Sequence, residues 1–304
     1  KIKIFESIDL AQVDHSPLFG CDLYSALAAM TEYPAKLLKI FTSKEVNKYG
    51  AYSVNFMVSG IPLEIMLDDY FPCDGKFPIY SKSKSQELWF MLLEKAFAKL
   101  YGCYNDINNI YISEALEILT GMPSSQQPLK GAREDDLWNS ITEFDKRNYI
   151  LCVGNYKKDG YNGNRIFTIV GLHEVDNYKI VKMRNPWEDY QYNGTFADGS
   201  KNWTDKIREE VGYYKGEKSS IYMDLKEVMT SFDFLSVCYH HDNWIRNRLD
   251  VKSKAKRAAF IELHVDKEQE IFISVHQKLP RFVNESPEYD ISPVEIIVAD
   301  VLED

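Results

Sequence analysis

Behind Cys21 the apolar positions Leu23, Ala26, Leu27 and Met30 recur at three- and four-residue spacing. That period predicts a helix beginning at the cysteine and stopping near Tyr33-Pro34, because proline disfavours helical backbone in the residue before it. Two β-rich runs follow, "AYSVNFMV" and "IPLEIMLDDYF", separated by Ser59-Gly60, the composition of a tight hairpin turn. In "ELWFMLLEKAFAKLYG" the residues Trp89, Leu92, Leu93, Ala96, Phe97 and Leu100 share one helical face, and Gly102 supplies a stop. That aromatic stripe reads as core rather than as a cofactor site. "ISEALEILTG" predicts a shorter helix with Ser113 as its N-cap. Residues 1–122 therefore read as a mostly helical region.

The pattern changes after "GMPSSQQP". One helical segment, "REDDLWNSITEFDKR", precedes β-type runs at "NYILCVGNY", "RIFTIVGLHEV", "NYKIVKMRNPW", "SSIYMDL" and "FLSVCYH". Residues 123–246 thus read as a β-dominated lobe. The polar and basic stretch 247–256, "NRLDVKSKAK", reads as a linker. Within 257–304, "AAFIELHV", "EIFISVHQK" and "VEIIVADV" alternate apolar and polar residues as half-buried antiparallel strands do. Three strands make an incomplete sandwich with open edges, so this domain is expected to continue beyond Asp304. The fold class is α+β.

With 45% hydrophobic and 27% charged residues in 304, the chain can bury more than one core. No run approaches the length of a membrane span, and no basic stretch followed by an apolar one marks a signal peptide. The first residue is a lysine, so a larger polypeptide is expected around this one. The net charge of -10 and the lack of a dense basic stripe argue against nucleic acid. The five cysteines, Cys21, Cys73, Cys103, Cys152 and Cys238, are odd in number and form no CxxC pair, which suits a reducing, cytoplasmic compartment. By default each reads as a small buried apolar residue, so Cys21 needs an argument of its own.

A cysteine at a helix N-terminus has its thiolate favoured by the helix dipole and by free backbone amides, which can also hold an oxyanion. Peptide hydrolysis further requires a proton shuttle, usually histidine, oriented by a third group such as asparagine. Here the chain resembles the calpain family of calcium-dependent cysteine proteases. "ELWFMLLEKAFAKLYGCY" is similar to that family's long helix, and "SEALEILTG" to the end of its first protease lobe. "KMRNPWEDYQYNG" resembles the segment that carries its catalytic asparagine, and "FIELHV…IFISVHQK" the first strands of its β-sandwich. The resemblance implies a two-lobed papain-like core, helical lobe facing β lobe, followed by a partial antiparallel β-sandwich.

Carried over position by position, the resemblance also marks departures. The family's glycine-aspartate-cysteine-tryptophan motif falls on Phe19, Gly20, Cys21 and Asp22, so the cysteine alone survives. His15 stands where the family has an oxyanion-stabilising glutamine, and Arg165 where it has the catalytic histidine. Asn185 and Trp187 match the catalytic asparagine and its neighbouring tryptophan. An arginine stays protonated well above neutral pH, so it can neither take a proton from a thiol nor return one to a leaving amine. Its charge could still favour a thiolate nearby.

Other histidines are poor substitutes. His173 lies eight residues beyond Arg165 in one predicted strand, about 25 Å away if extended. His15 could act as a displaced base, while His240, His241, His264 and His276 read as solvated. For the family's calcium sites, the resemblance places Gln12 at an aspartate and Glu114 at a glutamate in the first lobe. In the second, Gln191 replaces a glutamate, Asp198 remains, and Lys218 and Ser220 replace an acidic pair. Hard cations need several carboxylate or carbonyl oxygens, and a lysine among them opposes binding. The "DDY" at 68–70 reads as a solvated loop. The expectation is a catalytically inactive calpain-like domain without cofactor, a structural or protein-binding module in a larger cytoplasmic protein. Triad-lacking members of the family imply a cytoskeletal, ciliary or flagellar setting. The alternative is an active endopeptidase with a rearranged site of Cys21, His15 and Asn185.

Overall fold

The computed structural model describes residues 2–10, 13–14, 21–156, 165–187, 190–217, 219–241, 244–251, 260–277 and 294–298. In chain order these form β1 (Val13–Asp14), α1 (Cys21–Thr31), α2 (Pro34–Ile40), β2 (Ala51–Val58), β3 (Ile61–Asp68), β4 (Cys73–Asp74), β5 (Phe77–Pro78), β6 (Lys82–Ser83), α3 (Trp89–Tyr101) and α4 (Ile112–Thr120). They continue as β7 (Ser124–Pro128), α5 (Glu134–Lys146), β8 (Ile150–Gly154), β9 (Ile166–Val175), β10 (Tyr178–Arg184), α6 (Asp205–Val211), β11 (Ser220–Asp224), α7 (Leu225–Ser231) and β12 (Phe234–Cys238). The chain divides into two units, Lys1–Asn243 and Trp244–Asp304.

In the first unit α1 is a central helix, with every residue from Asp22 to Met30 buried. α3 buries the predicted stripe from Trp89 to Phe97 and ends at Gly102, whose φ of 105° favours glycine. β2 and β3 pair through Val58↔Ile61 around Ser59 (φ 49°) and Gly60 (φ 73°). Two consecutive positive φ values are the backbone of a two-residue hairpin turn, which explains the dipeptide found there. Six antiparallel strands in the order β11-β10-β9-β8-β12-β7 make the second layer.

α1 stops at Thr31, just before Tyr33-Pro34 as expected, and Pro34 then opens α2, where its missing N–H costs nothing. Several other expectations need correction. Ser113 is not the N-cap of α4; Tyr111 holds that position without a side-chain bond. The Ile112 amide instead donates to Asp22 Oδ1 at 3.2 Å, so a carboxylate from α1 caps the helix. Cys73 and Cys103 are exposed, whereas Cys152 and Cys238 are buried. Of the stretch 68–70, Asp68 belongs to the end of β3 and pairs with Lys95 at 2.5 Å, while Asp69 and Tyr70 lie outside any strand with Tyr70 exposed. His240 is buried against Tyr33, with Nδ1 3.3 Å from the Asn148 carbonyl.

Of the second unit, no described residue lies in a strand, so the sandwich expected over 257–304 is not formed among the described residues. Phe260, Ile273 and Ile297 remain exposed there. Alternation supplies one apolar face, but a strand holds only when its edges are paired and that face is covered.

Candidate active site

Cys21 is the first residue of α1 and is half-buried. Tyr24 and Ser25 lie three and four residues along the helix, on the face that Cys21 shares. Both bond to the sheet side: Tyr24 OH donates to the Pro186 carbonyl and Ser25 Oγ to the Ile166 carbonyl, each at 3.3 Å. The Ile166 carbonyl accepts a second bond, from the Trp187 indole, also at 3.3 Å. Tyr24 and Trp187 pack with ring centroids 5.3 Å apart. One backbone carbonyl thus joins the cysteine helix, the start of β9 and the segment after β10.

That junction carries the other two predicted site residues. Arg165 immediately precedes β9 and Asn185 immediately follows β10, and the two strands pair as far as Arg184↔Thr168. Antiparallel register therefore sets Arg165 and Asn185 at the same end of the hairpin. Gly154 of β8 lets this end close up, since a Cβ there would meet Ile166 Cγ1 at 2.7 Å and the Arg165 carbonyl at 3.2 Å. Asn185 Oδ1 accepts from the Trp187 amide at 3.1 Å, and its own amide donates to the Ser219 carbonyl at 2.9 Å. The tryptophan is buried.

The Arg165 guanidinium lies 5.1 Å from the ring centroid of Tyr190, which packs on Phe167 at 5.0 Å. Burial raises the Tyr190 phenol pKa, and the Arg165 charge partly offsets the shift. Tyr190 lay inside the asparagine segment without being singled out; an aromatic spaced to stack on the arginine was the available signal. At the other end of α1, Glu32 forms an ion pair with Arg184 at 2.6 Å. His173 sits far along β9, opposite Ile180, and burial lowers its pKa. It is not at the junction. His15, Phe19 and Gly20 lie outside the described residues, as do Gln12 and Lys218.

The remaining carboxylates of the expected calcium sites are engaged by phenols. Tyr101 OH donates to Glu114 Oε1 at 2.6 Å, and Tyr213 OH donates to Asp198 Oδ1. Ser220 Oγ donates to Glu217 at 2.8 Å. The loop holding Gln191 is stitched to α7 by Glu227, which accepts from Tyr192 OH and from the Thr195 amide and hydroxyl, each Thr195 bond at 2.9 Å. Phe196, Trp203, Ile207 and Tyr222 form a buried cluster below it, with Tyr213 packed on its edge and stacked on Trp203 at 3.9 Å. Among the described residues no three His, Cys, Asp or Glu side chains are grouped to hold a metal. No helix among them is long and apolar enough to cross a membrane.

A cysteine opening a buried helix, set against a β-sheet that presents an asparagine-proline-tryptophan segment, defines the scaffold of a papain-like cysteine-protease core. The profile of the calpain family of cysteine proteases matches residues 3–239, and the chain belongs to that family. It is 29% identical over 252 residues to the calpain-type cysteine protease ADL1 of Oryza sativa subsp. japonica, covering 76% of this chain and 12% of that protein. Against the calpain-1 catalytic subunit of Bos taurus it is 27% identical over 244 residues, covering 73% of this chain and 34% of the relative. Against calpain-13 of Rattus norvegicus it is 25% identical over 253 residues, covering 77% and 38%. The matched region thus spans well under half the length of each of these relatives.

Proposed function

We propose that this calpain-family core does not hydrolyse peptides and serves as a structural or protein-binding module within a larger protein. The observation that carries the reading is Arg165, immediately before β9 at the position the family resemblance assigns to the base, with its guanidinium packed on Tyr190. A group that stays protonated removes general acid and base catalysis together, a loss of roughly 10²–10⁴ in rate. The donors that are described also fit calcium poorly. Two of the carboxylates accept hydrogen bonds from phenols, and Gly199, next to Asp198, lines a space shared with the cations Arg208 and Lys215. The module is therefore read as calcium-independent. Its cytoskeletal or ciliary setting rests on the family resemblance alone.

The test incubates the purified chain with an unfolded protein substrate, with and without calcium, beside Cys21→Ser. No cleavage in any arm is the expected result. Cleavage by the unaltered chain that disappears in Cys21→Ser would overturn the reading. If that cleavage also required His15, the rearranged site of Cys21, His15 and Asn185 would replace it.

A further inference from the structure

Gly199, Arg208, Tyr213 and Lys215 surround a cavity of about 360 Å³ in the sheet layer. From these residues the geometry points to a binding site for a phosphate group, either free or carried on a peptide side chain. The inference stands whether or not Cys21 reacts.

Two cations converge on this space. Lys215 is exposed and makes no ion pair among the described residues. Arg208 bonds Asp205 through one guanidinium nitrogen at 3.3 Å, with the Asp205 side chain wholly exposed. A guanidinium carries five N–H donors, so most of its fork is left for a ligand, and a planar fork matches the spacing of two phosphate oxygens. The backbone fixes where these groups point. Gly212, in the left-handed conformation at φ 64°, ends α6, and the Tyr213 amide then donates back to the Arg208 carbonyl at 2.9 Å. This return places Tyr213 and Lys215 beside the arginine. Tyr213 stacks on the buried Trp203, which gives the cavity a rigid wall.

The opposite wall is open. Gly199 has φ 79°, and a Cβ built there would touch nothing within 4 Å. Asp198, next to Gly199, is an opposing charge at this rim; it accepts a hydrogen bond from the Tyr213 hydroxyl and keeps its charge. Burial and that carboxylate hold the Tyr213 phenol up at about 12, so it remains a neutral donor rather than a second anion. Glu217 is likewise occupied, by Ser219, Ser220 and Tyr222. The volume exceeds what one phosphate needs, leaving room for the residue that carries it.

The experiment titrates the intact chain at low ionic strength with inorganic phosphate and, separately, with a short phosphoserine peptide and its unphosphorylated form, read by calorimetry. Saturable binding is expected for phosphate or the phosphopeptide and none for the unphosphorylated peptide. Arg208→Gln should weaken it about tenfold, the double variant with Lys215→Gln should abolish it, and Asp198→Asn should strengthen it about threefold. Tighter binding of the phosphopeptide than of phosphate assigns the site to a modified protein partner; equal binding assigns it to the free ion. No saturable binding of either, or binding unchanged in the double variant, overturns the site. Arg208 and Lys215 lie at the surface, so unaltered melting of the variants separates lost binding from lost fold.

Discussion

The helical and sheet layers of the core contribute unequally to their shared junction. The helical layer delivers what a thiol nucleophile needs: Cys21 at the start of a buried helix, with Tyr24 and Ser25 on the same face bonded to the sheet. The sheet layer keeps the architecture of its half, from the Trp187 indole on the Ile166 carbonyl to the Asn185 turn. Immediately before the Ile166 carbonyl, however, it places Arg165, packed on Tyr190. On the reading proposed above, the interactions that hold the two layers together are separable from the groups that move protons. A cysteine at a helix end is evidence about the scaffold; what faces it is evidence about the chemistry.

The sharpest way to break that contrast is to change the sheet side alone. Arg165→His should raise thiol-dependent hydrolysis of an activated ester by about 10²-fold or more over the unaltered chain, since it restores an acid–base group beside the helix end. The gain should vanish in the double variant with Cys21→Ser. An activated ester is the right probe because its leaving group needs no proton, which tests the base alone. If Arg165→His gained nothing while remaining folded, position 165 would not face the thiol, and the contrast between the layers would lose its basis.

Next in size is the scaffold. Trp187 is buried, packs on Tyr24 and bonds the Ile166 carbonyl, so Trp187→Ala removes packing from both layers at once. A loss of about 3–5 kcal/mol in urea unfolding is expected. Cys21→Ser should cost far less by the same measurement, because serine replaces the thiol almost isosterically at a half-buried position and removes no packing. Comparable losses in the two variants would mean that the cysteine is structural after all.

How much of this was legible in the sequence follows the same division. Long periodic elements could be read because burial imposes their pattern: the α3 stripe, the Ser59-Gly60 hairpin and the strands β8, β9, β10 and β12 all lay where the apolar positions put them. α2, α6 and α7 have seven residues each, too few turns for a period to emerge. β7, "SSQQP", is polar and half-exposed, and it is a strand because β12 offers it an edge. In the tail the alternation is clear, but none of the described residues lies in a strand. Of the candidate site, Cys21, Arg165 and Asn185 were read through resemblance. The Ile166 carbonyl that joins their elements was not, because a backbone acceptor leaves no mark on residue type. Nor was Asp22 as a cap for α4, a bond between residues far apart in the chain.

The layers should also differ in their response to pH. In the helical layer Glu94 is buried, accepts from the Ser81 amide at 3.3 Å and hydroxyl at 3.1 Å, and is pushed up from 4.5 to about 7 by burial. A raised carboxyl pKa means that stability from the neutral form is fully present below the unfolded value of 4.5 and is lost as pH rises through 7. The loss is about 3 kcal/mol across that window. In the sheet layer Glu227 is also penalised by burial, but its bonds from Tyr192, Thr195 and Asp224 outweigh this and lower its pKa. Its stabilisation is present above the ordinary carboxylate range and is lost as pH falls through the lowered value. Unfolding midpoints between pH 5 and 8 should flatten in Glu94→Gln and keep their slope in Glu227→Gln. The reverse result would exchange the roles of the two carboxylates.

The smallest effect tests the junction at its finest grain. The Ile166 carbonyl accepts from both Ser25 Oγ and the Trp187 indole, so deleting either donor leaves the acceptor partnered. Ser25→Ala should therefore cost only about 0.5–1.5 kcal/mol, the net worth of one hydrogen bond without an orphaned buried group. Trp187→Phe removes the other donor with less packing loss than alanine would cause. Combining it with Ser25→Ala should destabilise by more than the sum of the single variants, because only the double variant strands a buried carbonyl. Strict additivity would show that the two bonds act independently and that the layers are joined chiefly by packing.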